Sequence, residues 1–449
     1  MAKREHLTAP LPTDKMPPAV PYILVNETAE RLAFYGMTSI LVVFMTEYLR
    51  GSDGALKVMS DEAATEYFHW FTAAVYALAV LGAVISDRWL GKFRTIIPFS
   101  IVYCVGFAVL TFSHTRLGLG LGLGLIALGS GVIKPCISAN VGDQFGASNK
   151  HLIERVYGWF YLAINLGAAI SMFACPWLLG KWGPAVGFGV PAIFMVIAVI
   201  AYWVGRDRFA HIPPAGKAFL SQLTDKKGLK DVLQISIIFV FVTMFFALFY
   251  QSQSSWVLQA KSMKLRWLWI TWEPAQMQAA NPVLIMVAIP AFTYLIYPAI
   301  NRIWPLTPLR KIGIGMFVTA ATFLIPIWIE TQIAAGKEPS IGWQFFAYIF
   351  LTAAEVMVSV TALEFAYRQA PNTMKSLIQS VNLLSVSLGN AFAAGVNAII
   401  GNEDGTSKLA GANYYWFFTA AMIVTGVLYI PVAMRFKATE YIQDEASAA

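Results

Sequence analysis

The sequence predicts an all-α polytopic membrane protein whose twelve spanning helices form two six-helix bundles. Hydrophobic residues make up 57% of its 449 residues and charged residues 13%, far below the roughly 25% charged content of soluble domains. The apolar residues fall into twelve runs of about 20, the length that a helix needs to cross the hydrocarbon core of a bilayer. A polar segment divides these runs into two sets of six.

The first bundle is predicted from six runs, at residues 20–49, 64–89, 94–114, 116–140, 155–179 and 184–204. A polar, Pro-rich stretch precedes them, so we expect the chain to enter the membrane through its own helices rather than through a cleaved signal. In the fourth run, the alternating glycines lack the strand and the Lys-Ser/Thr of a phosphate-binding loop. The spacing of Gly118 with Gly122, and of Gly120 with Gly124, instead predicts close helix packing.

The second bundle is predicted from runs at residues 231–258, 281–303, 311–333, 342–369, 375–400 and 411–435. The intervening segment is rich in charge and contains Pro213 and Pro214, which is typical of a linker. We therefore predict an N-terminal bundle at 1–205, a cytoplasmic linker at 206–230 and a C-terminal bundle at 231–449.

The distribution of Lys and Arg predicts the orientation. Loops on the side of the N-terminus carry more than twice as many of these residues as the opposite loops, and such loops are cytoplasmic. We thus expect a multi-pass protein of the cell inner membrane with both termini in the cytoplasm. The net charge of +7 then faces anionic lipid, and gives no reason to expect nucleic-acid binding.

Candidate catalytic and metal sites are lacking in the sequence. The five His are scattered without ligand-spaced partners, and the three Cys lie inside apolar runs, so no metal site is expected. We expect the protein not to be an enzyme, and a membrane-embedded enzyme is the more distant alternative.

The end of the second run and the turn after it carry Gly82, Asp87, Arg88 and Gly91. Basic residues recur at the matching place in the second half, beginning at Arg302. This pattern resembles the signature loop of the major facilitator superfamily. The resemblance implies two six-helix halves related by duplication.

Five ionisable residues stand out within the predicted spans, where a charge costs several kcal/mol unless it is paired or hydrated. Glu27, Glu30 and Arg31 have i, i+3 and i+4 spacing on the first helix and share one face. Lys134 lies on the fourth helix and Glu355 near the middle of the tenth. Ion pairs that only fix packing contribute little net stability, which favours a functional pathway.

A sixth titratable residue, His69, lies in the second run. A lone histidine there is equally consistent with a packing role and with carriage of a proton.

Several stretches together resemble the proton-dependent oligopeptide transporter family. They are Glu27 to Gly36, which resembles the family's ExxERFxYYG motif, then Gly129 to Cys136, Gly142 to Phe145, Phe160 to Gly167, Asn281-Pro282, Thr352 to Phe365, Ala370 to Ser376 and Gly389-Asn390. The resemblance covers helices 1 to 11.

This resemblance implies a symporter that carries dipeptides and tripeptides into the cytoplasm by alternating access, with the proton as coupling ion and no cofactor. The implied proton-coupling residues are Glu27, Glu30, Arg31, His69 and Lys134. The implied substrate-binding residues are Arg31, Tyr35, Tyr76, Lys134, Asn165, Asn281, Glu355 and Ser359. We expect short peptides and the lipid bilayer as partners, a monomer, and a salt bridge from Lys134 to Glu355 that closes the cytoplasmic side.

Two alternative functions stay open. One is symport of another small anion or zwitterion, such as nitrate, and the other is a membrane receptor that does not transport. The sequence also departs from the family pattern at Thr38 and Tyr250, where a basic and an acidic residue are usual, and at Asn382, where a Trp is usual. Losing both members of an ion pair is nearly neutral, whereas losing one strands a buried charge.

Overall fold

The computed structural model describes residues 7–10, 12–214, 216, 226–369, 375–401 and 407–436. Within them, twelve helices are long and apolar enough to cross a membrane. They are α1 (Val20–Glu47), α2 (Asp61–Leu90), α3 (Lys92–Phe112), α4 (Arg116–Gly142), α5 (Arg155–Trp182), α6 (Pro184–Arg208), α7 (Leu233–Ala260), α8 (Gln276–Asn301), α9 (Pro308–Ala334), α10 (Gly342–Phe365), α11 (Ser380–Ile400) and α12 (Ala412–Arg435). The predicted count of twelve spans is confirmed.

We call α1–α6 the N half and α7–α12 the C half. The side on which α1 begins is the near face, and the opposite side is the far face. Each half has its own apolar core: the core of the N half includes Phe44, Phe68 and Phe107, and that of the C half includes Phe245 and Phe323. Large apolar side chains also cover the outer surface, as expected where helices face lipid rather than water.

The predicted linker falls partly outside the described residues, because 215 and 217–225 are not among them. The same holds for residues 370–374 of the family-like stretch that ends at Ser376. The division of the chain at 205 and 230 therefore stays a prediction.

Three spans contain a single π-helical turn, at Ser86–Leu90, Phe292–Ile296 and Val356–Val360. Such turns interrupt the regular α-helical hydrogen bonding and often occur at functional sites. The third turn begins directly after Glu355. In α7, Tyr250–Gln253 forms a 3₁₀ turn, and a short hairpin of β1 (Arg266–Trp267) and β2 (Ile270–Thr271) follows α7 on the far face.

Two of the four alternating glycines on α4 permit close helix packing. A Cβ at Gly118 would lie 2.2 Å from the Ser113 hydroxyl, and one at Gly122 would lie 2.6 Å from the Leu110 side chain. Gly120 and Gly124 face open space instead, so the predicted packing role is wrong for that pair. The two pairs point in different directions because residues two apart lie on different helix faces.

The end of α2 and the turn into α3 are tightly packed. A Cβ at Gly82 would lie 2.4 Å from the carbonyl oxygen of Val132, so α2 and α4 approach closely only because residue 82 is glycine. Gly91 has φ 76°, and its amide donates to the carbonyl of Ser86. Arg88 stacks over Trp89 next to the half-buried Asp87.

Candidate functional site: a buried ionic cluster between the two halves

Four charged side chains from α1 and α4 form one cluster inside the N half. Arg31 Nε lies 2.7 Å from Glu27 Oε1 and 3.0 Å from Glu30 Oε2. Lys134 Nζ lies 3.5 Å from Glu30 Oε1. The i+4 spacing of Glu27 and Arg31 places them one helical turn apart, so the predicted shared face of α1 is formed.

The cluster is almost completely buried. Glu30 is 0% exposed, Glu27 1%, Arg31 8% and Lys134 9%. The Lys134 ammonium also lies 3.7 Å from the ring centroid of Phe34, a cation–π contact. Glu30 touches both cations, so its protonation state controls the charge seen by Arg31 and by Lys134.

With all four groups ionised, two carboxylates balance two cations. Adding an external carboxylate would leave this buried site with one excess negative charge, which is costly in a low dielectric. Binding a proton on one carboxylate removes that excess. The cluster could therefore take up one proton together with one anionic group, and Glu30 is the carboxylate that lies near both cations.

The carboxylate of Glu355, on α10 of the C half, is held by neutral partners. Its Oε2 accepts a hydrogen bond of 2.8 Å from Asn281 Nδ2, which also donates to Thr352 Oγ1 at 3.1 Å. No cation lies within salt-bridge distance of Glu355 among the described residues. An ammonium group could therefore bind it without displacing another cation.

Aromatic and amide groups lie between the two charged regions. Tyr35 lies one turn after Arg31 on α1 and within electrostatic range of Glu355, as does Tyr161 of α5. Asn165 is 8% exposed, and its amide donates to the carbonyl of Tyr161 one turn back. The N half thus presents polar groups toward Glu355.

Ser359 lies one turn after Glu355, within the π-helical turn, and its side chain is partly buried. Its position on α10 places it beside the predicted substrate site.

His69 joins the two halves near the far face. Its Nδ1 lies 2.7 Å from Asn390 Oδ1 on α11, and its Nε2 lies 3.1 Å from Ser254 Oγ on α7. The Asn390 amide donates to the carbonyl of Val386, which leaves its Oδ1 as an acceptor for His69. The proton of a neutral His69 therefore sits on Nδ1, and Ser254 can donate to Nε2.

Further cross-half contacts surround His69. The Tyr250 hydroxyl donates to the Tyr76 hydroxyl at 2.7 Å, and Ser387 donates to the carbonyl of Ala73. Thr38 donates to the backbone of its own helix, at the carbonyl of Tyr35. Where the family pattern has an ion pair, this chain therefore places a neutral tyrosine pair and a hydroxyl that bonds locally.

An ion pair closes the far face. Lys261 Nζ, just after α7, lies 2.7 Å from Glu47 Oε1 and 2.6 Å from Thr46 Oγ1 at the end of α1. Gln278 of α8 donates to the carbonyl of Ser39. All of these cross-half contacts lie between the membrane midplane and the far face.

The predicted salt bridge between Lys134 and Glu355 is absent from this structure. Lys134 pairs with Glu30 within the N half, and Glu355 pairs with Asn281 within the C half. The physical reason is the packing of the halves on the far side: the contacts at His69, Tyr76 and Lys261 hold that side together, and Lys134 and Glu355 stay apart.

Sequence analysis missed several residues of the site. Ser254 and Asn390, the partners of His69, are polar residues inside apolar runs, and this signal could have identified them. Glu47 and Lys261 stand at the ends of two spans and carry no motif. Asn382 leaves its side-chain oxygen buried without a hydrogen-bond partner among the described residues, and nothing in the structure explains the replacement.

Twelve membrane-length helices among the described residues, with a charge-balanced cluster buried inside one half, are typical of secondary transporters. The comparisons with known proteins agree with this class. The POT family model matches residues 93–223 and 218–417, and the chain belongs to that family.

Relatives and solved structures are similar over most of this chain. Solute carrier family 15 member 2 of Rattus norvegicus is 31% identical over 414 residues, which cover 79% of this chain and 56% of that protein. Peptide transporter family 1 of Drosophila melanogaster is 33% identical over 71% of this chain and 48% of that protein. The chain thus spans about half the length of the curated relatives that it matches.

The crystal structure of the POT family transporter PepTSo has a TM-score of 0.86 and 34% identity, covering 94% of this chain and 98% of that one. The structure of an auto-inhibited POT family peptide transporter has a TM-score of 0.86 and 30% identity, covering 96% and 99%. Both are POT family structures, and the predicted major facilitator fold is confirmed.

Proposed function

We propose that this protein is a proton-coupled symporter that carries dipeptides and tripeptides into the cytoplasm by alternating access. The proposal depends on one observation: the N half holds a charge-balanced cluster of Glu27, Glu30, Arg31 and Lys134, and the C half holds Glu355 with neutral hydrogen-bond partners. A peptide zwitterion brings one carboxylate to the cluster and one ammonium to Glu355. The proton that restores charge balance is then transported with the peptide.

The pocket residues receive the following roles. Arg31 and Lys134 bind the peptide carboxylate, Glu355 binds the ammonium, and Asn281 keeps the Glu355 carboxylate oriented. Tyr35, Tyr76, Asn165 and Ser359 contact the peptide between these ends. The names of the relatives, several of which are peptide transporters, support this substrate class.

Orientation follows the excess of Lys and Arg on the near face, which we assign to the cytoplasm. The far-side contacts then make this conformation closed to the outside. We place the protein in the cell inner membrane as a monomer with cytoplasmic termini, with the proton as coupling ion and no cofactor. Peptide binding between the halves would draw Lys134 and Glu355 together and favour the opposite conformation.

The test is uptake of labelled dialanine by proteoliposomes under an imposed proton gradient. We expect the wild type to accumulate dialanine and Glu355→Gln to lose this accumulation. The substitution removes the negative charge that would bind the peptide ammonium, but it keeps a side-chain oxygen that can accept the hydrogen bond from Asn281. N-acetyl-dialanine, which has no ammonium, should compete poorly with dialanine in the wild type. Uptake of nitrate instead of dialanine would favour the anion symporter, and peptide binding without any uptake would favour the receptor.

A further inference from the structure

A cleft of about 870 Å³ opens on the outer surface of the C half at the near face. The first turns of α9 and the last turns of α12 form its walls, and Trp304 and Phe365 flank it. None of its lining residues belongs to the ionic cluster or to the pocket around Glu355. Its volume falls in the range of ligand-binding cavities, about 300–1,000 Å³.

The inside of the cleft is apolar and faces the lipid. Gly313 lets the ring of Tyr429 pack closely against α9, because a Cβ there would lie 3.3 Å from that ring. The Tyr429 hydroxyl donates to the carbonyl of Leu309, so its polar end is satisfied and its ring forms a wall. From Pro308 to Phe317, α9 rises by about 14 Å, a depth that lies within one leaflet of the bilayer.

The mouth of the cleft is cationic. Arg310 lies in the first turn of α9, where its guanidinium stacks 4.8 Å from the Trp304 centroid and its Nη1 donates to the carbonyl of Pro305 at 2.6 Å. A guanidinium has five N–H donors, so further donors remain for a ligand.

Two further features favour an anion at this mouth. The positive end of the α9 helix dipole points to it, and the residues that line the cleft, all of them described, include no carboxylate. Near-face loops also carry the excess of basic residues, which attracts acidic lipid headgroups.

We propose that the cleft between α9 and α12 binds one anionic glycerophospholipid, with an acyl chain in the apolar cleft and the headgroup phosphate on Arg310. Charge complementarity at the mouth selects the headgroup, because a guanidinium pairs with phosphate through two parallel hydrogen bonds. A zwitterionic lipid brings its own ammonium and gains less from Arg310.

The experiment is native mass spectrometry of the full chain from mixed micelles that contain equal amounts of phosphatidylglycerol and phosphatidylcholine. We expect Arg310→Gln to lower retention of phosphatidylglycerol about fivefold, the effect of one cation near an anionic lipid surface, and to leave phosphatidylcholine unchanged. Arg310→Lys should retain most of the binding. The control is Arg94→Gln, which removes an exposed near-face arginine from α3 in the N half.

A second variant, Ala433→Phe, fills the cleft from α12 and should lower retention of both lipids. Equal phosphatidylglycerol retention by Arg310→Gln and Arg94→Gln overturns the proposal. Unchanged lipid retention by Ala433→Phe also overturns it, because that result would show that only a headgroup binds, on the surface. A dimer that Ala433→Phe dissociates would identify a second copy as the occupant. Lipid binding only after deletion of residues 437–449 would assign the cleft to that segment.

Discussion

Replacing Glu30 by Gln tests most directly whether the cluster takes up a proton together with the peptide carboxylate, because Glu30 is the carboxylate that lies near both cations. Its Oε2 lies 3.0 Å from Arg31 and its Oε1 lies 3.5 Å from Lys134. Glutamine has nearly the same shape and no charge, so it imitates a permanently protonated Glu30. The cluster then carries one excess positive charge and can accept a peptide carboxylate without taking up a proton.

The expected loss can be calculated from the charge that moves. One elementary charge crossing 100 mV is worth about 2.3 kcal/mol, which supports roughly fiftyfold accumulation of peptide. Glu30→Gln should lose this accumulation and approach equal concentrations on the two sides. Its folding cost should approach the about 3–5 kcal/mol of a stranded buried charge, because Arg31 keeps Glu27 at 2.7 Å but Lys134 loses its carboxylate partner.

The assay compares two modes in the same proteoliposomes: uptake of labelled dialanine driven by a membrane potential, and counterflow, which needs no net proton movement. Glu30→Gln should fail in the first mode and retain the second. The control is Glu338→Gln, which removes an exposed far-face carboxylate and should behave as wild type in both. Potential-driven accumulation by Glu30→Gln at the wild-type level would refute the proposed proton coupling through Glu30.

Three further predictions concern the far side. Lys261→Met removes the ion pair with Glu47, in which the Lys261 and Glu47 side chains are 23% and 45% exposed. The loss should cost at most about 1 kcal/mol of stability, but it should increase the distance between spin labels at the far ends of α1 and α7. Unchanged distances would contradict this prediction. Burial raises the pKa of Glu273, and the nearby Glu47 carboxylate adds to the shift. A carboxyl group whose pKa is raised by folding stabilises the protein at low pH, and this stability is lost as the pH rises through that pKa. Glu273→Gln should therefore raise the unfolding temperature near pH 7.5 and leave it unchanged near pH 4. An equal gain at the two pH values would assign the effect to packing. His69→Gln should flatten the dependence of proton-driven uptake between about pH 5.5 and 8, and an unchanged profile would leave His69 a packing residue.

The spans and the charges within them could be predicted from the sequence, because each depends on a local property. A run of about 20 apolar residues has few alternatives to a membrane helix, and the spacing of Glu27 and Arg31 brings them together on any α-helix. The partner of Lys134 could not be predicted in this way. In this structure Lys134 pairs with Glu30, and whether Glu355 can reach it depends on how far the two halves are separated.

The neutral contact between Tyr76 and Tyr250 has a consequence for the transport cycle. It joins residues 174 positions apart, so no local pattern predicts it, and it occupies the region where the family pattern has an ion pair. Separating two hydroxyls strands no charge, and a net hydrogen bond is worth only about 0.5–1.5 kcal/mol. Charge-based closure of the far side then rests on Lys261 and Glu47, which are partly exposed and can rehydrate when the halves move apart. These two contacts can therefore open at low cost while the buried charges stay paired within the N half, where we propose that the proton binds.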